Sequence, residues 1–436
     1  MASCEPSGYD VVGIGFGPSN LSLAIALQEL GATGATPPTA RFFESQPSFG
    51  WHRNMLLPTA KMQVSFLKDL VTFRNPTSPY SFVSFLHAVE RLPQFVNNSD
   101  FFPTRAEFHQ YLEWVAANFA DQVSYGTRVT AVTPLRSSGP AGPVDRFRIQ
   151  VSSPATGESS VEARNVVLAT GLAPRMPQDF VRDERVWHSS EFLEKFRRCD
   201  AAKLTDIVVV GAGQSAAEIA RHCYDNAPNA TVTAVIPSYG YSIADNTPFA
   251  NRIFDPNAVD DYYFAEERAK EKFWQYHRNT NYSVVDDEVI RSLYQRQYDD
   301  EVRGAERLHF AELSRVTDVK RSGDDTRVTI HSLATDRSYD MDVDIVVCAT
   351  GYEAMDIAGV LGELDGYCAR DEQGRHRLER DYRLVTTDDV SAGIYLQGGT
   401  EHTHGLSSSL LSNMATRSGE IVRSLSRNRL PEAVSC

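Results

Sequence analysis

Paired cysteines, long apolar runs and an excess of positive charge are all missing from this sequence. The six cysteines are scattered over 436 residues and none forms a C-x-x-C motif, which argues against a redox dithiol and a zinc knuckle. No apolar stretch approaches the roughly 18 residues that a transmembrane helix needs. The formal net charge of −14 disfavours nucleic acid and anionic membranes as partners, because both attract clustered Lys and Arg.

Signals for secretion, hydrolysis and metal binding are missing as well. Residues 1–10 have neither the basic nor the apolar region of a signal peptide, so we expect a cytoplasmic protein. No Gly-x-Ser-x-Gly segment indicates a hydrolase nucleophile. Glu401, His402 and His404 have the spacing of metal ligands, but no further cluster completes a site. We therefore predict no bound metal.

The sequence does contain one unit twice: an apolar strand, a glycine turn and a helix. The first copy covers residues 9–18 and leads into a helix at 19–30; the second covers 207–216 and leads into 217–224. Continuous Val, Ile and Leu runs are typical of strands buried on both faces of a parallel sheet. The fold class predicted is therefore α/β, with two Rossmann-like dinucleotide-binding domains.

Prolines and glycines indicate where the chain passes between these domains. Two prolines at 172–177 predict a crossing to the second domain, and a Thr-Gly ending at 350–351 predicts the return. We expect a discontinuous first domain (1–175 and 345–436) with the second domain (176–344) inserted into it. A stretch rich in helix formers at about 255–300 predicts a small helical element over the cleft.

Each glycine turn is a candidate phosphate-binding loop. In the first copy Gly13 and Gly15 form the Gly-x-Gly pair with Pro18 at the third position; the second copy has Gly211, Gly213 and Ala216. The strand at 40–44 ends in Glu44, placed to bind a ribose hydroxyl. Two loops predict two cofactors, FAD and NAD(P)H, although one copy could also be degenerate and empty.

The choice between NADPH and NADH stays open. An Arg after the strand at 231–236 would attract a 2′-phosphate, but the chain has Pro237-Ser238-Tyr239 there.

The polar and apolar mixture at 51–75 predicts a lined cavity, or alternatively a surface helix with Lys68 solvated. The neutral polar clusters at 246–251 and 279–283 could be ligand contacts or ordinary turns.

Taken together, these motifs resemble the microbial N-hydroxylating flavin monooxygenases, the ornithine and lysine N-hydroxylases of siderophore biosynthesis. The resemblance extends from Asp10 to about Ile421 and is carried by residues 13–21, 62–70, 74–76, 213–216, 349–352 and 404–412. The segment 64–70 followed by Arg74-Asn75-Pro76 looks more like the ornithine branch. It is also similar to the ornithine hydroxylase of piperazate formation.

The resemblance implies FAD- and NAD(P)H-dependent N-hydroxylation of the L-ornithine side-chain amine by O2, through a C4a-hydroperoxyflavin. It favours NADPH, possibly with use of NADH, and it implies a homotetramer. Because the flavin supplies the difficult chemistry, no acid–base triad is expected.

The same resemblance assigns roles to single residues. Lys68 pairs with the substrate carboxylate, Asn251 and Asn281 hold its α-amino and carboxylate end, and Ser412 contacts the substrate. Gln63 and Asn281 support the flavin and the nicotinamide ribose. The cofactor-binding residues implied are Gly13, Gly15, Gly17, Pro18, Glu44, Trp51, His52, Gln63, Val129, Gly211, Gly213, Gln214, Ser215, Ala216, Ser409, Leu410 and Leu411.

Three alternatives remain at this point. One is an L-lysine N6-hydroxylase. Another is a different class B flavin monooxygenase, although its Phe-x-Gly-x-x-x-His signature is reduced here to His188. The third is a catalytically silent nucleotide-binding flavoprotein, against which the substrate-binding set named above argues.

Overall fold

A computed structural model describes residues 8–32, 34, 36–323 and 325–427 of the chain. Its strands are β1 Tyr9–Ile14, β2 Ala40–Phe43, β3 Val123–Ser124, β4 Arg128–Leu135, β5 Arg146–Ser153, β6 Gly157–Leu168, β7 Leu172–Pro174, β8 Val186–His188, β9 Asp206–Val210, β10 Thr231–Val235, β11 Ser242–Ile243, β12 Val284–Val285, β13 Leu308–Ala311, β14 Ser314–Ser322, β15 Asp325–Ser332, β16 Arg337–Val343, β17 Ile345–Cys348, β18 Tyr352–Ala354 and β19 Gly393–Leu396.

Helices alternate with these strands, and short 3₁₀ turns lie between them. The α-helices are α1 Pro18–Gly31, α2 Phe82–Ala88, α3 Leu92–Asn98, α4 Arg105–Ala116, α5 Phe192–Arg198, α6 Gln214–Asn226, α7 Pro248–Asn251, α8 Asn257–Tyr263, α9 Glu267–Asn281, α10 Asp287–Arg303, α11 Ala358–Leu361, α12 Glu401–His404 and α13 Met414–Arg427. Within the described ranges, no helix is both long enough and apolar enough to span a membrane.

The first sheet contains the first glycine turn. Its strands run in the order β3-β2-β1-β6-β5-β4, and β19 pairs with β6. Strand β1 is parallel to both β2 and β6, whereas β4, β5 and β6 form an antiparallel extension. Apart from Asp10, β1 has no charged residue, and the strand from Val11 to Ile14 is buried, as expected for a strand covered on both faces. Helices α1 and α13 pack together beside this sheet.

The second sheet is entirely parallel, with the order β13-β10-β9-β17-β8. The two sheets confirm the predicted α/β class with two Rossmann-like units. One predicted boundary is wrong, because β17 pairs with β8 and β9 of the second sheet although residues from 345 onward were assigned to the first domain. Hydrogen bonding of β17 moves the return point beyond Cys348.

Two short strands lie where the chain passes between the units. Strand β7 pairs antiparallel with β18, so the outgoing and returning segments run side by side. The Arg175 guanidinium donates to the Thr350 carbonyl oxygen at 2.8 Å and strengthens this contact. The units also share core residues: Met55, Leu57 and Ala60 come from the first unit but pack in the hydrophobic cluster of the second.

Helices α8, α9 and α10 occupy the region for which a helical element was predicted. Helix α9 has no buried residue, and α10 buries only one face through Val289 and Leu293. Its first turn carries Asp287 and Glu288, which suit the positive end of the helix dipole. Helix α10 packs on α6 of the second unit, whereas α8 packs on α12 of the returning segment, so this element borders both units and the cleft between them.

Candidate functional site

The two glycine turns correspond to each other residue by residue, but not at the residues that were predicted. Gly15 has φ +85°, and a Cβ atom on it would meet the Ala169 carbonyl oxygen at 2.4 Å. Gly211 has φ +139°, and its Cβ would meet the Ala349 carbonyl oxygen at the same 2.4 Å. Only glycine fits where the backbone comes so close with positive φ. Gly15, rather than Gly13, is thus the counterpart of Gly211.

The helices that follow confirm this frame. Helix α1 begins at Pro18 with Gly17 as its N-cap, and α6 begins at Gln214 with Gly213 as its N-cap. The phosphate-loop pair of the first unit is therefore Gly15 and Gly17. Its third position is Asn20 rather than Pro18, which corrects the assignment made from the sequence.

Gly13 lies inside β1 and has a packing role. A Cβ atom there would lie 2.2 Å from a ring carbon of Phe42, so the missing side chain makes room for that ring. Asn20 replaces the small residue usual at the third position. Its buried amide donates to the Gly15 carbonyl oxygen at 2.7 Å and fixes the loop.

Both helix N-termini open onto free space. A Cβ atom on Gly17 would meet no atom within 4 Å, and one on Gly213 would meet only the Ser283 Cα at 3.9 Å. Neither N-terminus is capped by a side chain of its N-cap residue. Free backbone N–H groups at the positive end of a helix bind a pyrophosphate. The two loops therefore fit FAD and a nicotinamide dinucleotide, with Ser215 and Ala216 in the first turn of α6.

Glu44 lies immediately after β2, next to the first loop. Its Oε2 accepts the Phe16 N–H at 2.7 Å and its Oε1 accepts the Gln46 N–H at 2.8 Å. A carboxylate offers about four lone-pair positions, so capacity remains for a ribose hydroxyl. Val129 lies in β4 and is buried in the core of this unit.

Trp51 and His52 lie between the first unit and the returning segment. Their rings meet edge to face at 4.8 Å between centroids, and His52 also meets the Tyr352 ring at 6.2 Å. His52 has φ 46°, a left-handed backbone conformation that is uncommon for a residue other than glycine. Gln63 also faces the cleft, and its amide donates to Asp286 at 3.2 Å.

Lys68 is a half-buried cation that lacks an ion-pair partner among the described residues. Its Nζ lies 5.6 Å from the centroid of the Phe254 ring. Burial lowers the pKa of the Lys68 ammonium, and the charge of Asp255 opposes that shift only in part. The side chain is therefore available to a ligand carboxylate.

Asp69 holds the Lys68 segment in place. This carboxylate is 2% exposed and accepts the N–H groups of Val71 at 3.0 Å, Thr72 at 2.7 Å and Phe82 at 2.8 Å. It also accepts the Thr72 hydroxyl at 3.0 Å. Burial raises the pKa of Asp69, and these hydrogen bonds oppose that rise because they stabilise the charged carboxylate. Asp69 connects the Lys68 segment to the start of α2.

Of the other predicted substrate residues, Asn251 and Ser412 belong to segments that meet near Lys68, whereas no contact joins Asn281 to them in the part of the chain that the structure describes. Asn251 ends α7, and its amide donates to the Thr247 carbonyl oxygen at 3.3 Å. The 252–254 turn that follows packs against the 406–409 turn. Asn281 is the last residue of α9 and is half-buried. The structure thus brings the Lys68, Asn251 and 406–412 segments to one region of the cleft.

The 409–412 segment contains buried hydroxyls without partners. Ser412 is 3% exposed, and the Oγ atoms of Ser409 and Ser412 make no hydrogen bond to a described residue. An unsatisfied buried polar group costs about 1–3 kcal/mol, so a ligand is the expected partner. Leu410 caps the turn and Leu411 packs against the first core. Arg417, fully buried, supports the segment by donating to the Ser408 carbonyl oxygen.

The residues with metal-like spacing are all used in other contacts. Glu401 accepts the Tyr282 hydroxyl at 2.7 Å, and His402 contacts the His376 carbonyl oxygen at 2.8 Å. His404 is buried and stacked on Tyr382 with centroids 4.1 Å apart. Across the described ranges, no group of His, Cys, Asp or Glu has the arrangement of a metal site.

Sequence reasoning missed several polar residues that shape the cleft. Asn20 could have been found by counting three residues from the N-cap glycine of α1. Arg105, Glu218 and Asp286 could not have been found in this way. Arg105 and Glu218 lie 113 residues apart, and Asp286 lies 72 residues from its partner Gln214, so these contacts exist only in the folded chain.

Comparisons with known proteins agree with this geometry. A family model described as L-lysine 6-monooxygenase/L-ornithine 5-monooxygenase matches residues 7–354. An L-ornithine N(5)-monooxygenase of Pseudomonas aeruginosa is 38% identical over 97% of this chain and 95% of its own length. The solved ornithine N-hydroxylase of Kutzneria sp. 744 is 61% identical with a TM-score of 0.92, covering 96% of this chain and 99% of that chain.

A lysine-acting relative is more distant. The L-lysine 6-monooxygenase of Pseudomonas syringae has a TM-score of 0.85 and 30% identity, covering 97% of this chain and 100% of that chain. The Kutzneria structure is described with reduced FAD, NADP+ and L-ornithine. The two open phosphate loops, the matching family model and these relatives place the chain in the L-lysine 6-monooxygenase/L-ornithine 5-monooxygenase family.

Proposed function

We propose that this protein hydroxylates the side-chain amine of L-ornithine, using FAD, NADPH and O2. The observation that carries the substrate is Lys68, a half-buried cation without an ion-pair partner among the described residues. The names of the relatives support the same reaction, and ornithine-acting relatives at 38% and 61% identity are nearer than the lysine-acting one at 30%.

The two phosphate loops hold the cofactors. FAD lies on the loop of Gly15 and Gly17 with Glu44 at its ribose, and NADPH lies on the loop of Gly211 and Gly213. When bound and reduced, FAD would supply the activation of O2, and one oxygen atom of O2 would be transferred to the amine. The protein supplies binding, orientation and exclusion of water.

The amino acid is held by its α-carboxylate and α-amino groups. Lys68 binds the carboxylate, Asn251 and Asn281 bind the α-groups, and the unpartnered Ser412 hydroxyl contacts the substrate. This anchoring fixes how far the side-chain amine reaches. Ornithine is one methylene shorter than lysine, so the distance from Lys68 to the flavin acts as the ruler that separates them.

The amine must be neutral to attack oxygen. An alkylamine has a pKa near 10 in water, so only about one molecule in a thousand is neutral at pH 7. The lowered pKa of Lys68 indicates that burial here disfavours an alkylammonium. A substrate amine enclosed in the same cleft loses water in the same way, which raises its neutral fraction.

The test is hydroxylamine formation by the FAD-loaded protein with L-ornithine, L-lysine and no amino acid, using NADPH and then NADH. We expect product from ornithine, little from lysine and a preference for NADPH. Product from lysine with little from ornithine would assign the lysine reaction instead, and equal rates would refute the discrimination between the two amino acids. NADPH consumption that yields only peroxide with both amino acids would refute the substrate assignment. A homotetramer and a cytoplasmic location stay predictions, and light scattering measures the first.

A further inference from the structure

Helix α10 begins in an unusual way. Its N-cap residue is Asp286, a type that normally accepts a backbone N–H of its own helix, but here the side chain makes no such capping bond. The two carboxylate oxygens instead accept two glutamine amides. Oδ1 accepts Gln63 Nε2 at 3.2 Å, and Oδ2 accepts Gln214 Nε2 at 3.1 Å.

The orientation of the Gln214 amide is fixed by its partners. Its Oε1 accepts the backbone N–H of Asp286 at 2.8 Å, while its Nε2 donates to Glu218 at 2.9 Å as well as to Asp286. A flipped amide would direct its oxygen at two carboxylates and its NH₂ at a backbone N–H. Gln214 therefore always presents a donor to Asp286 Oδ2.

Glu218 is fixed in turn by a paired guanidinium. It is 1% exposed and forms two parallel hydrogen bonds with Arg105, at 2.9 and 3.0 Å. Arg105 also donates to the Met55 carbonyl oxygen at 2.7 Å. Bidentate Arg–carboxylate pairs are directional and strong, so this pair anchors the network across the two units. The chain of contacts runs from Arg105 through Glu218 and Gln214 to Asp286.

Gln63 lies at the free end of this network. Its Nε2 is held by Asp286, while its Oε1 accepts no hydrogen bond from the described residues and its side chain is exposed to the cleft. Because the NH₂ group is engaged, the amide presents its carbonyl oxygen to the cleft. The orientation of a glutamine amide is set by its hydrogen-bond partners.

We propose that Asp286 is a positioning residue, whose carboxylate orients the Gln63 amide so that an acceptor, and not a donor, faces the flavin side of the cleft. This inference rests on the proposed function for the identity of the bound cofactors. Asp286 accepts the amides of Gln63 and Gln214, and it acts through Gln63. The hydrogen bonds between the two units thereby determine whether Gln63 presents a donor or an acceptor to the cleft.

The variant Asp286→Asn tests this orientation. Gln214 requires an acceptor, so the asparagine oxygen must face Gln214 and its NH₂ must face Gln63. The Gln63 amide then has to flip and present its own NH₂ to the cleft. The isosteric change thus inverts the polarity at Gln63 and leaves the anchoring pair of Arg105 and Glu218 intact.

Two rates are measured per bound flavin: the rate of flavin reduction by NADPH in stopped flow, and the steady-state rate of hydroxyornithine formation. We expect Asp286→Asn to lower at least one of them about 10- to 100-fold, the scale of a misplaced polar group, with KM for ornithine changed less. The matched control is Glu288→Gln, in the first turn of the same helix. Its carboxylate pairs with Lys61 at 3.0 Å across the same seam but contacts neither glutamine. It should leave both rates within about two-fold, as expected for an exposed pair.

A double mutant tests whether Asp286 acts through Gln63. If it does, adding Asp286→Asn to Gln63→Met causes no further loss, because coupled residues are not additive. Multiplying losses would overturn the proposal. So would unchanged rates in Gln63→Met, which also decides the matter if Asp286→Asn does not fold. A wild type that reduces its flavin but makes no hydroxyornithine would refute the ornithine reaction alone, since flavin reduction still measures the effect at Asp286.

Discussion

Replacing Asp69 with Asn should loosen the Lys68 segment and weaken the whole fold. The asparagine oxygen can keep the N–H groups of Val71 and Thr72, but its NH₂ group then faces the Phe82 N–H, which accepts nothing. Leaving a buried N–H unsatisfied costs about 1–3 kcal/mol. Loss of the charge weakens each of the two remaining backbone bonds by about 0.5–1 kcal/mol.

One term opposes these losses. Burial raises the pKa of Asp69, so removing the negative charge returns part of its desolvation cost. The net destabilisation expected is about 2 kcal/mol. In a protein of this size that corresponds to a fall of about 2–4 °C in the thermal midpoint. Because Asp69 adjoins Lys68, KM for ornithine should also rise.

The assay is a thermal melt of the FAD-loaded protein at one fixed scan rate, with KM measured on the same samples. The control is Asp145→Asn, which alters a carboxylate that accepts the Ser137 N–H at 2.9 Å within a surface hairpin. That variant should leave both values near those of the wild type. An Asp69→Asn protein with an unchanged midpoint and an unchanged KM would refute the anchoring role.

Three further predictions follow from single side chains. Gly17→Ala should weaken FAD binding and leave the melting of the FAD-free protein unchanged, because the added Cβ enters free space. Gly15→Ala should instead destabilise the fold, because its Cβ would collide with the Ala169 carbonyl oxygen. FAD titration and thermal melting distinguish the two effects. KM for ornithine should rise with pH as Lys68 loses its proton, and it should do so below the ordinary pKa of lysine because burial lowers the pKa of Lys68. Lys68→Arg should remove that rise, because arginine stays protonated. Identical pH profiles of KM in the two proteins would contradict the role of Lys68. Arg417→Met should lower the melting temperature and FAD retention together, since it removes the donor to Ser19 Oγ at 3.0 Å and to the Ser408 carbonyl oxygen; retained FAD with normal melting would show that the buried guanidinium is dispensable.

The fold was predictable because its signals are local. Apolar strands at 9–14 and 207–210, each followed by a glycine turn, are sufficient for two Rossmann-like units. The identity of the phosphate-binding glycines in the first turn could not be predicted. Gly13, Gly15 and Gly17 occupy alternate positions, so the pairs Gly13–Gly15 and Gly15–Gly17 both satisfy the Gly-x-Gly motif. The positive φ of Gly15, its approach to Ala169 and the start of α1 at Pro18 distinguish them. The domain boundary at residue 345 was placed before β17 and not after it, because strand pairing, not sequence, assigns a strand to a sheet.

The candidate site was predictable only in part. Lys68, Asn251, Asn281 and Ser412 came from a family resemblance, and the lack of an ion pair at Lys68 became visible only with its surroundings described. The contact between Gln63 and Asp286 joins residues 223 positions apart, and no periodicity or spacing indicates it. Hydrogen-bond networks across a domain seam depend on docking, which leaves no local pattern.

The placement of β19 and α13 has a consequence for how the protein folds during synthesis. Strand β19 pairs with β6, and α13 packs on α1, yet both leave the ribosome after the whole second unit. Domains generally fold as units while the chain emerges, N-terminal ones first. Here the second unit can close its parallel sheet before the first receives its last strand and helix. The N-terminal half must therefore wait, partly open, and FAD added during translation should be captured only once α13 has emerged.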